Sequence, residues 1–200
     1  FREARDTFAR DRQYLWYESN FMVYGVAFIM LIPVIPLYYI EVWDLRYQAI
    51  AQSRVMIGSV GMALLGPLAG RLMDRVRPAR LCAMAFGWVA LFPLALALGP
   101  EVLPLQPEHA AYLAFAIYSV GMAGVNVGWN VGSIAFAPPG QGAHYQGIHV
   151  AMVGLRGALA PVLGYVVLRV AGYREVFLVA SGLFATAALS SLLLARYRAR

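Results

Sequence analysis

The chain has no lysine, a single cysteine and few charges of either sign. Only 13% of its 200 residues are charged, about half the roughly 25% of a soluble globular domain. Cys82 is alone and sits inside an apolar run, which excludes an intrachain disulfide and a cysteine-based metal cluster. His109, His144 and His149 are the whole histidine set, too sparse for a histidine metal site, so neither a metal nor a cofactor is expected. All of the basic charge is arginine: sixteen against ten acidic residues, a net charge of +6. Such a balance raises nucleic acid as a partner, but the arginines stand at the ends of apolar runs and form no continuous face, so that reading fails.

What fills the chain is apolar. A hydrophobic content of 61% and a mean hydropathy of +0.64 describe a membrane protein. A spanning helix needs about 20 mostly apolar residues, and six stretches qualify: 21–42, 48–73, 81–99, 110–137, 146–170 and 176–195. The expected fold is therefore an all-α, polytopic bundle of six transmembrane helices. Residues 1–19 read as a cytoplasmic amphipathic lead-in or linker, 20–196 as the membrane domain and 197–200 as a cytoplasmic tail. The first residue is Phe1 and the segment to Trp16 is charged and amphipathic, so this segment is not expected to be a signal peptide and the chain reads as a piece of something longer. Abundant Ala, Gly and Arg without lysine hint at a bacterial coding bias and hence at the inner membrane.

Arginine counting sets the orientation, because cytoplasmic loops retain positive charge. Eleven arginines lie on the side of the two termini and four (Arg46, Arg54, Arg169 and Arg174) on the other, which places both termini in the cytoplasm. Tyr14, Trp16 and Tyr17 at one end of the first span, with Tyr38, Tyr39 and Trp43 at the other, read as two interfacial aromatic belts anchored in membrane lipid.

Sliding the chain on itself by 94 residues aligns Pro67-x-x-Gly70 with Pro161-x-x-Gly164, Arg75 with Arg169, Arg80 with Arg174 and Phe21 with Phe115. One offset serves the first and second helices of each triplet, which gives repeat units of about 20–100 and 108–196. Three spans per unit is an odd number, so the second unit enters the membrane upside down, the inverted-repeat construction of secondary transporters.

A basic knot follows the second span: Gly66-Pro-Leu-Ala-Gly70-Arg-Leu-Met-Asp74-Arg75-Val-Arg77-Pro-Ala-Arg80. Gly66 and Gly70 make a G-x-x-x-G face that admits a close helix, and Asp74 ends the helix beside arginines that form or break contacts as two bundles rock. This segment resembles the signature loop of the major facilitator superfamily, departing from it where Pro78 and its neighbours replace the usual Gly-Arg turn. The resemblance implies the carboxy-terminal six-helix half of a twelve-helix transporter, with the amino-terminal half as its partner, alternating access as its mechanism and a small-molecule substrate bound near the midplane. Gly66, Gly70, Asp74, Arg75, Arg77 and Arg80 are then the expected cytoplasmic gate.

Polar residues inside the spans nominate the cavity. At about 100° per residue, Ser119, Asn126, Asn130 and Ser133 fall in one stripe of the fourth span, opposite Gly121, Gly124, Gly128 and Gly132. The stripe either bonds between helices or lines a wet cavity, with Trp129 as a stacking surface. Arg156 sits near the midplane, where a charge is expensive unless paired. No acid falls in the interior of the spans as drawn, which leaves an acid in the missing half, an anionic substrate, backbone or amide oxygens such as those of Asn126 or Asn130, or a displaced helix boundary to account for it. His149 is either a site for a coupling proton or, in the plainer reading, a group bonded to the 138–145 loop. Pro33, Pro36 and Pro161 are candidate hinges. An intramembrane enzyme needs a nucleophile and base that Ser133 and His149 do not convincingly supply, so no catalytic residue is assigned; a transporter-like sensor or scaffold remains the second reading.

Overall fold

In the computed structural model, residues 2–102 and 104–197 are described; Phe1, Leu103 and the end of the expected tail, 198–200, lie outside them. Among the described residues the chain is helical, and six of its helices are long and apolar enough to cross a membrane. The spans are Arg12–Glu41, Tyr47–Arg75, Pro78–Gly99, Pro107–Val131, Gly142–Ala171 and Tyr173–Tyr197. A short helix, Arg2–Arg10, precedes them.

Local chemistry explains the ends. Asp11 caps the first span by accepting from the Tyr14 amide at 2.9 Å, satisfying one of the donors that a helix start leaves orphaned. Pro107 opens the fourth span at a position where its missing N–H costs nothing. Gly172 alone joins the fifth and sixth spans, at φ 104°, a left-handed value that a side chain would strain. The second span departs from regularity: over Gln52–Val60 it widens into a π-helix.

The packing follows the inverted repeat. The second span lies on the fourth and the fifth on the first, while the third and sixth pair with each other; the third also lies on the fourth and the sixth on the first. Exchanging the two triplets reproduces the same set of neighbours. Helices joined by short loops, second with third and fifth with sixth, touch little, so the order of the chain is not the order of packing.

Small residues decide how close these crossings come. The glycine face of the fourth span lies on the third, as its helical angle predicts: a Cβ on Gly124 would stand 2.9 Å from Ala85 and one on Gly128 2.8 Å from the Cys82 sulfur. At the crossing of the first and fifth spans, a Cβ on Gly164 would overlap the Met30 carbonyl. Without a hydrophobic drive between helices in lipid, this contact is what van der Waals packing has to work with.

The aromatic belts need correction. Tyr14, Tyr17, Tyr38, Tyr39 and Trp43 are all buried in the bundle, and the Tyr17 hydroxyl donates to the Gly128 carbonyl at 3.0 Å. The Trp16 indole donates to Ser190 at 2.8 Å. The first span is flanked by neighbours on several sides, so its aromatics fill the core and close hydrogen bonds between helices in place of meeting the lipid interface. Overpacking a close crossing typically costs about 1–3 kcal/mol. Gly164→Val is therefore expected to lower stability by about that amount, read from thermal unfolding in detergent, whereas Gly182→Val, with open space around it, is expected to change it little.

Candidate functional site

Along the first span, Tyr14, Glu18, Phe21 and Gly25 recur at helical spacing and so share one face. Tyr145, His149 and Arg156 do the same on the fifth. The two spans run parallel, and the faces meet in a polar seam. The Tyr14 hydroxyl donates to the Tyr145 carbonyl at 2.6 Å. His149 Nδ1 lies 2.8 Å and 3.0 Å from the two oxygens of Glu18. Arg156 Nη1 donates to the Phe21 carbonyl at 2.6 Å. The guanidinium lies over Gly25, where any Cβ would overlap it. Glu18, His149 and Arg156 are all buried.

The seam answers the question that Arg156 raised and corrects two expectations. Arg156 is the fifteenth of thirty residues in its helix, central as expected and not displaced to a surface. Its direct partner is a backbone oxygen, but of Phe21, not of Asn126 or Asn130. An acid also lies inside the spans after all. The first span begins at Arg12 and not at residue 21, which carries Glu18 into the bundle within electrostatic reach of Arg156. Tyr14, Tyr17 and Cys82 are also within its reach. His149 bonds to that acid and not to the 138–145 loop. Sequence reading missed Glu18 because one polar face at a helix start is averaged away in a hydropathy window; the signal was the spacing of Tyr14, Glu18, Phe21 and Gly25.

The other nominated cavity residues divide. Ser119 and Ser133 are buried; Ser119 donates to Ala116 O at 2.8 Å, and Ser133 bonds to Gln146, a partner the sequence did not suggest. Asn126 and Asn130 are exposed and bond to each other, Asn130 Nδ2 to Asn126 Oδ1 at 2.8 Å. The stripe is thus split, because the fourth span ends at Val131 and Ser133 lies past it. The Trp129 ring meets the His149 ring edge-on at 5.6 Å. Trp129, Ser133 and His149 come together, then, while the two asparagines face outward and Arg156 lies farther along the seam.

The basic knot is open. Gly66 and Gly70 have nothing within 4 Å of where a Cβ would stand. Asp74, Arg75, Arg77 and Arg80 are exposed, and none takes part in an ion pair among the described residues. Asp74 sits in the last turn of its helix, where the macrodipole disfavours a carboxylate, so helix stability does not account for it. Pro33, Pro36 and Pro161 all lie within uninterrupted helix.

Removing one member of a buried hydrogen-bonded pair leaves the other unsatisfied, at a cost of about 1–3 kcal/mol. Glu18→Ala and His149→Ala are each expected to destabilise the protein by about that much. The double variant should cost less than the sum, with a coupling of about 0.5–3 kcal/mol, measured as a double-mutant cycle of unfolding free energies.

A comparison with known families completes the picture. No curated protein and no solved structure matches the chain. The family model of the Major Facilitator Superfamily matches residues 19–200, a stretch that holds most of the first span and the five others, the polar seam except Tyr14 and Glu18, and the basic knot. The chain is a multi-pass membrane protein and belongs to the major facilitator superfamily, a family of membrane transporters.

Proposed function

We propose that the chain is one six-helix half of a secondary active transporter, which moves a small solute by alternating access against an amino-terminal half of the same protein. In this reading both termini are cytoplasmic and the membrane is a bacterial inner membrane. The observation that carries it is where burial stops. The second and fifth spans are the least buried of the six, they occupy equivalent places in the two repeats, and they carry the basic knot and half of the polar seam. A second half covering these two faces gives both features a partner. Gly66 and Gly70 are clear for a close helix, and Asp74 with Arg75, Arg77 and Arg80 is free to pair across the interface and release as the halves rock.

The seam supplies the energy coupling. One buried carboxylate, Glu18, bonds to an imidazole and lies within electrostatic reach of a guanidinium that bonds elsewhere. With His149 neutral, Glu18 and Arg156 balance; a proton added to the pair changes the net charge of a site poor in water. Because these groups sit between the first and fifth spans, their protonation biases how firmly the fifth span is held. Pro33, Pro36 and Pro161 are the hinges of this reading, since each removes a backbone donor inside its helix. Asn126, Asn130 and Trp129, at the inner end of the fourth span, line the path beyond.

Two results test this. In proteoliposomes holding the whole protein, Asp74→Asn is expected to lower solute uptake at least about tenfold at unchanged thermal stability; full uptake removes the gate assignment. Glu18→Gln is expected to make uptake indifferent to an imposed pH gradient while leaving exchange of solute for solute intact; retained gradient-driven uptake sinks the proton role.

A further inference from the structure

A second polar feature lies farther along the first span. Between the first four spans is a cavity of about 220 Å³, smaller than the roughly 300–1,000 Å³ that hold drug-sized ligands. Phe28, Phe92, Phe115 and Tyr118 wall it, and Arg54 and Ser59 are its only charged and hydroxyl side chains besides the Tyr118 phenol. The rings are ordered against one another: Phe92 lies 5.2 Å from both Phe115 and Tyr118, and Phe28 stacks on Tyr118 at 6.4 Å. Phe28 and Tyr118 stand near the middles of their helices, so the cavity reaches the centre of the bundle.

Arg54 and Ser59 both belong to the π-helical segment of the second span, and Ser59 Oγ donates to the Arg54 carbonyl at 3.3 Å. Such widened turns recur at functional sites. Topology explains Arg54 poorly. It is the eighth residue of its span, about 10 Å of helix from the start, and an arginine so placed is costly without a partner. Among the described residues no acid pairs with it. Its field reaches the phenols of Tyr118 and Tyr39, and the Tyr39 hydroxyl is buried with no hydrogen-bond partner of its own among the described residues.

We propose that this cavity is a binding site for a small aromatic carboxylate, held by Arg54 with its ring between the aromatic walls. The guanidinium fork matches a carboxylate. One cation in an otherwise uncharged lining suits one negative charge, whereas a phosphate at neutral pH carries more charge than Arg54 neutralises. The walls suit a planar ring, because offset and edge contacts hold flat partners best. Arg156, buried and bonded to Phe21, is thereby relieved of the substrate role that its sequence position suggested. This assignment rests on the transporter reading for its meaning, since it names the solute class, but the site is testable by itself.

The experiment is calorimetric titration of the whole protein in nanodiscs with 2-naphthoate, the neutral 2-naphthamide and acetate. The expected result is binding of 2-naphthoate at least about tenfold tighter than of either of the others, weakened at least about tenfold by Arg54→Gln and less by Arg54→Lys, which keeps the charge. Arg54 is exposed, so both variants are expected to fold, and an unchanged melting temperature checks this. Equal binding of the acid and its amide, equal binding by wild type and Arg54→Gln, or no binding of 2-naphthoate overturns the site. Uptake of labelled 2-naphthoate separates the two readings: tight, Arg54-dependent binding without uptake leaves the site standing and removes the transporter, while uptake untouched by Arg54→Gln does the reverse.

Discussion

Charge cannot be left unpaired in a medium without water, and the bundle is organised around one place where that constraint is met. The fifth span brings an arginine to the middle of the membrane domain, and little of it lies against the sixth span that follows it. It is held instead through the first span: Tyr145 to Tyr14, His149 to Glu18, Arg156 to the Phe21 carbonyl, and Gly164 against Met30. Each contact needs the next to be in register. Gly25 must be a glycine so that the guanidinium can reach Phe21, and the first span must begin at Arg12 so that Glu18 lies within the bundle.

The same economy of contacts explains why the fold is both firm and divisible. Glycines on the fourth span and serines on the first-to-sixth and third-to-sixth contacts bring backbones together and close hydrogen bonds, such as that of Ser181 to Ala90 O at 2.7 Å. Those four spans make the rigid part. The second and fifth are attached mainly to one partner each, the fourth and the first. Attachment through one face leaves the opposite face for another body and lets either helix tilt without unmaking the core. The basic knot at the end of the second and the charged seam on the fifth are thus placed on the two spans least buried in the bundle.

Much of this was legible in the chain. Long apolar runs fix six spans, because length and hydropathy are local properties and the bilayer accepts few alternatives. The offset of 94 residues anticipated a packing that is unchanged when the triplets are exchanged. Helical angle placed the glycine stripe of the fourth span correctly, since Gly121, Gly124 and Gly128 need only their spacing to share a face. The family resemblance carried by fifteen residues around Gly66 to Arg80 agrees with the match over residues 19–200.

What a sequence cannot state is which face meets which neighbour. Tyr14, Tyr17, Tyr38 and Tyr39 have the composition of an interfacial belt, yet they are core, because the first span is surrounded on several sides. Asn126 and Asn130 have the spacing of a buried stripe, yet they face outward. Glu18 looked like a linker residue until His149, 131 residues later in the chain, closed on it. The sequence by itself determined the number of spans, their small faces and their repeat, all of which arise from neighbours a few residues apart. Only the tertiary structure decided the partners of Glu18 and Arg156, because a side chain's charge is balanced by whatever lies across the helix crossing, and that distance is measured in space and not along the chain.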